Sequence, residues 1–481
     1  MTRLSAATLG RLRPAYDLSG VAVGHAHIGV GAFHRAHQAE FADDLLARRP
    51  GPWGIVGINL RPPDLGAMLA PQDCLYSRTT RDGADENTRV IGAIRNVVKG
   101  HAAGLVALTD PAITVVTLTV TEKGLCHVPA TGALDTAQVD IVHDVTNPAT
   151  PRSAPGLLVA MLAQRRSSGI PPPALLSCDN IPSNGRVLRA VVTGLAAMRD
   201  PALAAWIDRE VAFPDSMVDR IVPATSDADR DRVERTLGLR DEAAVVCEPF
   251  RQWVVEDAFR GPRPPWERVG VEIVPDVRPY EAMKMRLLNG CQTALSYLGW
   301  LGGCEHTSDA MATPELFGYA RDLMAFESAP TVSIGVDLAA YQRSVLRRLS
   351  NAALRHTTWQ IATDGSQKIS QRLLAPMRAR LDAGAPFPRL ALGVAGFMQF
   401  VSGLDLRGRP IEVPDPLAPV LRAAALGAET PIELVRALLR VTPVFGDDLH
   451  RSATVEAALT HALTLLRDVG SIEAARVTGN A

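Results

Sequence analysis

Short runs of strand-forming residues alternate with helical patterns through the first half of this 481-residue chain. The clearest run is Ile113–Val120, which is almost continuously apolar and rich in β-branched side chains. Such a run is typical of a strand covered on both faces, as in a parallel sheet. Further strands are predicted at Val21–Val30, Trp53–Leu60 and Ala174–Cys178, with helices over His34–Arg48 and from about Gly185. The alternation predicts an α/β fold with a doubly wound, mostly parallel sheet.

The pattern changes near Asp276. Beyond this point, long helical patterns dominate and strand-like runs are few; the helices are predicted at Tyr280–Leu301, Val332–Leu349 and Leu390–Ser402. We therefore expect two domains, an α/β domain over residues 1–276 and a mostly α-helical domain over residues 277–481. The chain length is compatible with two large domains.

Composition excludes several classes of protein. Hydrophobic residues make up 47% of the chain and charged residues 21%, which excludes a disordered protein. The net charge of −1 gives no general attraction to nucleic-acid phosphates. No apolar run has the length of a signal peptide or a membrane span, and six scattered cysteines without a CxxC pair indicate reduced thiols. A cytoplasmic protein without nucleic-acid or membrane partners is expected.

A candidate cofactor site lies in the sequence HIGVGAFHRAH at residues 27–37. A strand ends at Gly29-Val30-Gly31 and a helix follows, an arrangement in which glycines let the backbone approach a pyrophosphate and the helix start offers free N–H groups. His34 stands where the usual fingerprint has its third glycine. The alternative is an ordinary strand–helix turn. Its place in the first βα unit favours a dinucleotide.

The residues after the second strand bear on which dinucleotide binds. Asp64 is the candidate carboxylate for the adenosine ribose, which favours NAD. Arg61, close by, is the alternative reader, and it would instead receive the 2′-phosphate of NADP. We expect NAD.

Four histidines near this turn raise the question of a metal site. Strand alternation places His25 and His27 on one face, with His34 and His37 following in the helix. No cysteine or acidic cluster completes a tetrahedral ligand set. We expect polar contacts near the cofactor and no metal.

A lysine-bearing helix is the candidate catalytic element. It reads YEAMKMRLLNGCQTALSYL over residues 280–298. At about 100° per residue, Lys284, Gln292 and Asn289 lie at about 0°, 80° and 140°, on one broad face. A lysine among apolar neighbours loses affinity for its proton, which suits a general acid/base near neutral pH. The alternative is a lysine that extends from the helix into solvent.

At this point the chain resembles the long-chain mannitol dehydrogenase family, which includes mannitol 2-dehydrogenases and fructuronate reductases. The resemblance runs nearly end to end and rests on six segments: GVGAFHRAHQA (29–39), TLTVTEKGLC (117–126), LLSCDNIPSNG (175–185), FPDSMVDRIVPAT (213–225), CEPFRQWVVED (247–257) and the lysine helix. It implies a Rossmann-type N-terminal domain, a helical C-terminal substrate and catalytic domain, and hydride transfer without a metal. The cofactor-binding positions that it implies are Gly29, Gly31, Phe33, Arg35, Asp64, Thr119 and Asp219.

The resemblance also implies a catalytic set. The family pattern is a lysine, an asparagine five residues later and a histidine three further on; this chain has Lys284 and Asn289, but Gln292 in place of the histidine. Glutamine keeps the hydrogen-bonding ability and loses the titration near pH 7. Asn180 matches a further family asparagine, with an Asx-turn as the alternative role, and Glu281 resembles the acid that relays protons between lysine and solvent.

Two C-terminal segments, over residues 350–369 and 390–405, look more like fructuronate reductases than mannitol 2-dehydrogenases. Gln360 stands where the mannitol enzymes place an arginine. A uronate carboxylate needs a cation; the candidates are Arg355, His356, Lys368 and Arg372, and solvated helix charges are the alternative reading of each.

The expected reaction is the reduction of D-fructuronate to D-mannonate with NADH. The alternatives are a mannitol 2-dehydrogenase and a non-catalytic NAD-binding sensor. The expected partners are a small sugar acid or polyol, and the expected state is a monomer or small homo-oligomer.

Overall fold

The structure, a computed structural model, describes residues 2–129 and 131–479. The chain forms two compact units, residues 1–278 and residues 279–481. Among the described residues of the first unit the strands are β1 (Val23–Ile28), β2 (Gly54–Asn59), β3 (Tyr76–Asp82), β4 (Asp85–Ile91), β5 (Ile94–Lys99), β6 (Val115–Leu118), β7 (Ala174–Ser177), β8 (Ser216–Asp219), β9 (Val245–Cys247), β10 (Gln252–Glu256) and β11 (Glu272–Val274).

The α-helices of the first unit follow most of these strands. They are α1 (Ala32–Ala36), α2 (Gln38–Arg48), α3 (Leu65–Leu69), α4 (Gly100–Leu108), α5 (Thr121–Gly124), α6 (Val139–Thr146), α7 (Ala154–Ser167), α8 (Asn184–Arg199), α9 (Pro201–Glu210) and α10 (Asp227–Leu237).

The main sheet of this unit has five parallel strands in the order β5-β2-β1-β6-β7. The chain runs outward from β1 in one direction and then returns to β6 on its other side, so the direction of winding switches between β1 and β6. Ligands of open α/β sheets bind outside the carboxyl ends of the strands at such a switch. The predicted Rossmann-type α/β fold is confirmed.

Side-chain alternation in β1 explains how this sheet is covered. Ala26 and Ile28 are fully buried and belong to an apolar cluster that includes Leu157 of α7 and Leu188 of α8. The intervening His25 and His27 are also buried, but they form hydrogen bonds to a neighbouring strand. The central strand thus has an apolar face and a buried polar face.

Two smaller sheets, of orders β4-β3-β9 and β11-β10-β8, were not predicted. The β3–β4 hairpin contains many charged and polar residues, as in YSRTTRD, so it lacks a continuous apolar signal. The strand β9 has only three residues and pairs with β3 from far away in the sequence. These strands form because they pair with segments elsewhere in the chain, and the local sequence pattern does not encode such pairing.

The helix predicted over His34–Arg48 is interrupted. Helix α1 ends at Ala36 and α2 begins at Gln38, because His37 has non-helical dihedral angles (φ −129°, ψ −87°). The His37 Nε2 atom lies 2.9 Å from the backbone oxygen of Gln252. A tertiary contact thus accompanies the break.

The second unit is helical, and its described residues form no strand longer than an isolated bridge. Its α-helices are α11 (Arg278–Met283, beginning at the unit boundary), α12 (Gly290–Leu301), α13 (Thr307–Ala312), α14 (Pro314–Asp322), α15 (Leu338–Leu349), α16 (Thr358–Ala362), α17 (Gly365–Ile369), α18 (Ala375–Asp382), α19 (Pro388–Val401), α20 (Ala418–Ala425), α21 (Pro431–Leu439), α22 (Thr442–Phe445), α23 (Ala453–Val469) and α24 (Ser471–Gly479). Within the described parts of the chain, no helix is long and apolar enough to cross a membrane.

The helix predicted over Val332–Leu349 starts later than expected. It begins at Leu338, because the Asp337 side chain accepts a hydrogen bond from the Ala340 N–H at 2.9 Å and caps the helix there. N-cap positions favour Asp, so the apolar residues before Asp337 belong to the preceding segment and not to the helix.

A buried ionic cluster around Glu40 ties α2 to the two smaller sheets. The Glu40 carboxylate pairs with Arg220 and with Arg78 at 3.1 Å, Arg251 at 3.3 Å and Arg89 at 3.5 Å. Burial alone would raise the pKa of this carboxyl, but the arginines outweigh burial and the pKa is lowered. The folded state therefore depends on an ionised Glu40.

We predict that Glu40→Gln lowers the free energy of unfolding by about 3–5 kcal/mol, since it leaves buried guanidinium groups without their counter-charge. Because the folded-state pKa is lowered, the wild-type contribution is present above the ordinary carboxyl pKa and is lost as the pH falls through the folded value. Urea unfolding at several pH values measures both effects.

Asp208→Asn is the matched control, because Asp208 pairs with Arg189 at the surface of the same unit. Its expected effect is below about 1 kcal/mol. Equal losses in the two variants would contradict a stabilising role for the Glu40 cluster.

Candidate active site

The turn after β1 is shaped by a close backbone approach. Gly29 has φ +95°, and a Cβ atom there would lie 2.1 Å from the backbone oxygen of Thr119. No side chain fits this position, so the turn requires glycine. The Thr119 hydroxyl donates to the Gly29 oxygen at 2.7 Å and fixes the ends of β1 and β6 together.

A cleft of about 320 Å³ opens at the carboxyl ends of β1, β2 and β6. Its lining includes Gly29, Gly31, Asn59, Arg61, Thr119 and Thr121. A Cβ atom built on Gly31 would approach nothing closer than 3.9 Å, so the space beside the glycine turn is open. A switch-point cleft with an open glycine turn in its wall fits the phosphate-bearing part of a dinucleotide.

The other predicted cofactor residues lie elsewhere in the first unit. Phe33 stacks on His37 with ring centroids 5.0 Å apart, and Arg35 is buried with its guanidinium donating to the Val30 oxygen at 3.2 Å. Asp219 is the buried last residue of β8. Their roles toward a cofactor stay predictions, whereas Gly29, Gly31 and Thr119 line the cleft itself.

Asp64 has two structural tasks. Its carboxylate caps α3 by accepting from the Ala67 N–H at 3.0 Å, and it pairs with Lys99 at 2.8 Å. The hydrogen bond from Lys99, followed by that from Ala67, holds the Asp64 pKa below its ordinary value, so the group is an anion. Arg61 lines the cleft and pairs with Asp140 at 3.3 Å. The choice between these two cofactor readers stays a prediction.

A chain of hydrogen bonds runs beneath the glycine turn. Thr117 Oγ1 lies 2.6 Å from His25 Nε2 and 2.7 Å from His27 Nδ1, and His27 Nε2 lies 2.9 Å from Thr119 Oγ1. Burial lowers the His25 pKa to about 3 and the His27 pKa well below its ordinary value. These rings are neutral and act as fixed polar supports.

His34 stacks on His27, with centroids 3.5 Å apart. Within residues 2–129 and 131–479, no group of three or more His, Cys, Asp or Glu side chains is placed to hold a metal ion.

The candidate catalytic helix of the second unit, which carries Lys284, departs from α-helical geometry. Between α11 and α12, residues Lys284–Asn289 form a π-helical turn. A π-helix hydrogen-bonds residues five apart, which is the spacing of Lys284 and Asn289, so the predicted α-helical angles are wrong for this pair. Turns of this kind occur frequently at functional sites.

Both ends of this turn are buried. Lys284 is 6% exposed and Asn289 is 8% exposed, and the buried Asn289 Oδ1 has no hydrogen-bond partner among the described residues. A lysine is rarely buried without a specific reason, and an unpaired amide oxygen is available to a substrate hydroxyl. Glu281, in α11, is also buried.

A second π-helical segment, Ser370–Leu374, packs against the catalytic helix. Gly290 permits the approach, because a Cβ atom there would lie 2.6 Å from the Arg372 backbone oxygen. The Arg372 guanidinium donates to Thr293 Oγ1 at 3.0 Å. Neither Gly290 nor Thr293 was predicted as a site residue, because the only sequence signal was a small or hydroxyl residue within the lysine helix.

Gln292 has a specific partner in the same unit. Its Nε2 atom lies 3.3 Å from His356 Nδ1, so a neutral imidazole accepts a hydrogen bond from the amide. Burial, with the nearby Lys368 charge, lowers the His356 pKa to about 4. His356 is therefore neutral near pH 7, and it could bind a carboxylate only as a hydrogen-bond donor.

The remaining predicted substrate residues differ in exposure. The half-buried Lys368 ammonium donates to the Thr363 oxygen at 2.5 Å and to the Ile361 oxygen at 3.4 Å. Arg355 is exposed and adopts a left-handed backbone conformation with φ +47°. Their roles toward a substrate stay predictions.

Asn180 lies in the first unit, in the loop after β7, and is half-buried. The residue before it, Asp179, is buried and accepts a hydrogen bond from the backbone of Thr121 at 2.7 Å. Neither Asp179 nor Thr121 was predicted as a site residue from the sequence. An acid directly before the predicted catalytic asparagine was the available signal.

Comparison with known proteins places this geometry in a family. The family "Mannitol dehydrogenase Rossmann domain" matches residues 24–268, and "Mannitol dehydrogenase C-terminal domain" matches residues 276–467. The chain is 46% identical to an uncharacterized oxidoreductase of Escherichia coli (strain K12), YeiQ, over 91% of this chain and 90% of the relative. It is 42% identical to the D-mannonate oxidoreductase of the same organism, over 98% and 99%.

A solved structure gives the same result. The Pseudomonas fluorescens mannitol 2-dehydrogenase, in a ternary complex with NAD and D-mannitol, superposes with a TM-score of 0.91 at 36% identity, covering 99% of both chains. The predicted family is confirmed, and this chain is an oxidoreductase of the mannitol dehydrogenase family.

Proposed function

We propose that the protein is an NAD-dependent reductase of a keto sugar acid, converting D-fructuronate, NADH and a proton into D-mannonate and NAD. The observation that carries this proposal is the buried Lys284–Asn289 pair on a π-helical turn, in a unit that also contains the half-buried cations Lys368 and Arg372. The 42% identity to a D-mannonate oxidoreductase over almost the whole chain supports it.

The first unit suits the cofactor. Gly29, Gly31 and Thr119 would contact the dinucleotide, since they form the open backbone wall of the switch-point cleft. NADH, when bound, supplies a hydride to the C5 carbonyl carbon of the substrate. The NAD complex of the Pseudomonas fluorescens relative supports this choice of cofactor.

The proton steps belong to the chain's own residues. As hydride reaches the carbonyl carbon, protonated Lys284 donates its proton to the carbonyl oxygen. Asn289 would stabilise the developing negative charge by an amide hydrogen bond. Asn180 is given the same role on the basis of the sequence resemblance. Glu281 then returns a proton to Lys284 from solvent. In the oxidative direction neutral Lys284 takes the hydroxyl proton instead.

The carboxylate of a uronate requires a cation that is held in place. Lys368 is anchored by two backbone carbonyl groups, and Arg372 by Thr293. Arg355 is exposed, and His356 is neutral near pH 7. Lys368 and Arg372 are therefore the stronger candidates, with His356 as a neutral donor beside them.

A polyol dehydrogenase is the second candidate function. The structural match to a mannitol 2-dehydrogenase in complex with NAD and D-mannitol favours it. Proton transfer by Lys284 does not require a carboxylate on the substrate. Measurement of kcat/KM for D-fructuronate and D-fructose with NADH separates the two. A preference for fructose would overturn the sugar-acid assignment.

Lys284→Ala should lower kcat by about 10²–10⁴-fold, the usual size of a general acid/base effect, and leave NADH affinity nearly unchanged. Stopped-flow turnover and NADH fluorescence titration measure the two quantities. Arg436→Ala, which removes a surface pair with Glu456 in the same unit, is the control and should retain full activity. Activity of Lys284→Ala within about tenfold of wild type would reject the lysine assignment.

Lys368→Gln should raise KM for the sugar acid by about 10–100-fold, the effect of losing a charge-assisted hydrogen bond of about 1.5–3 kcal/mol. Its effect on a neutral ketose should be much smaller. Lys368→Arg is the matched variant, because it keeps the positive charge and should recover part of the loss. A similar rise in KM for both substrate types would show that Lys368 does not read the carboxylate.

Asp64→Asn should reduce the preference for NADH over NADPH, because it removes the negative charge that repels a 2′-phosphate. Asparagine preserves the cap of α3, so the comparison with Asp64→Ala separates cofactor selection from helix stability. Ratios of kcat/KM for the two cofactors measure the preference. A wild-type preference for NADPH would identify Arg61 as the reader instead.

A further inference from the structure

Asp179 joins two loops at the carboxyl end of the main sheet. Its Oδ1 atom accepts from the Thr121 N–H at 2.7 Å, and its Oδ2 atom accepts from the Ser177 hydroxyl at 3.1 Å. Its own backbone oxygen accepts from the Asn184 side chain at 3.0 Å. One buried carboxylate therefore connects the loop after β6 with the loop after β7.

The loop after β6 needs this support. Thr121 has φ +69°, a left-handed conformation that is uncommon for a β-branched residue and costs about 1–3 kcal/mol. Such a conformation persists only where surrounding contacts impose it. The Asp179 carboxylate makes one of these contacts, and Thr119, Val120 and Thr121 all line the dinucleotide cleft.

The loop after β7 contains Asn180, a residue of the proposed catalytic set. Asn180 follows Asp179 directly and, in the proposed function, stabilises the oxygen that receives the proton. We propose that Asp179 is a positioning residue, which in its carboxylate form holds the cleft wall at Thr119–Thr121 in register with the loop that carries Asn180. This inference rests on the proposed function for the role of Asn180, whereas its link to the cleft rests on the hydrogen bonds alone.

The charge state of Asp179 makes the idea testable by pH. Burial raises its pKa to about 7, hydrogen bonds from the Thr121 and Val120 N–H groups and from Ser177 oppose this rise, and the nearby charge of Glu122 adds to it. The carboxylate form therefore gives way to the acid as the pH falls through about 7. The carboxylate accepts a hydrogen bond on each oxygen, whereas the protonated oxygen of the acid is a donor. Protonation therefore weakens the contact between the two loops.

Two other pH effects are distinguishable from this one. In the reductive direction Lys284 acts as a proton donor. Loss of its proton would therefore remove activity at high pH and not at low pH. The raised Asp179 pKa also means that the folded protein binds this proton more tightly than the unfolded chain does between about pH 4 and pH 7, so acidification through this group favours folding. A loss of activity on the acid side would thus not reflect unfolding caused by Asp179.

The experiment compares pH profiles from pH 6 to 9 for wild type and Asp179→Asn. NADH affinity by fluorescence titration and kcat/KM for the substrate are both measured. We expect wild-type affinity and kcat/KM to fall below about pH 7. In Asp179→Asn, NADH affinity and kcat/KM should each be at least tenfold lower than in wild type at pH 8. Neither quantity should decline further on the acid side, because the amide does not titrate.

Asp241→Asn is the matched control. Asp241 is also a buried carboxyl with a raised pKa in the same unit, but it binds the Ser77 backbone and hydroxyl groups on β3. This variant should lower thermal stability and keep the wild-type acid-side decline. Loss of the decline in Asp241→Asn as well would overturn the assignment to Asp179.

Ser177→Ala provides a second, milder test if Asp179→Asn folds poorly. It removes a hydrogen bond that stabilises the carboxylate, so the acid-side decline should move to higher pH. An unmoved midpoint here, or an unchanged decline in Asp179→Asn, would reject the proposal.

The NADH titration also separates this proposal from the proposed function. If no keto acid or ketose is reduced, the proposed function fails. The pH dependence of NADH binding still supports or rejects the role of Asp179, because that measurement needs no substrate.

Discussion

The contact between the Gly29 turn and the end of β6 is the constraint on which the nucleotide-binding unit depends. The backbone oxygen of Thr119 occupies the space that any Cβ atom at position 29 would need. Strands β1 and β6 therefore end side by side at the point where the winding of the sheet switches direction. The glycine at position 29 thus lets two backbones meet beside the cleft without a side chain between them.

Buried polar groups hold this arrangement without adding charge. His25 and His27 occupy the central strand, where apolar residues are the rule, and each binds Thr117. Burial keeps both rings neutral, so they bind Thr117, and His27 also binds the Gly29 oxygen at 3.1 Å, without bringing charge into the core. In the same unit, Glu40 is a buried group that stays charged, because the surrounding arginines pair with its carboxylate.

In the helical unit, the reacting groups depend on a local departure from regular structure. The π-helical turn places Lys284 and Asn289 at the spacing of its own hydrogen bonds, and Gly290 lets a second π-helical segment approach. That second segment contains Arg372, and the Lys368 side chain lies just before it. The residues proposed for proton transfer and for carboxylate recognition thus lie on neighbouring elements of one unit.

The sequence by itself determined the α/β character of the first unit, the helical character of the second and the glycine turn, because buried parallel strands and helices leave periodic apolar patterns. It also identified Lys284, Asn289 and Gln292 as candidate catalytic residues, since all three lie within one predicted helix. Only the tertiary structure decided the β3–β4–β9 pairing, the break at His37 and the links from Asp179 to Thr121 and from Gln292 to His356. Each of these features joins residues far apart in the chain or replaces α-helical hydrogen bonds by tertiary contacts. The local periodicity of the sequence contains no information about such contacts.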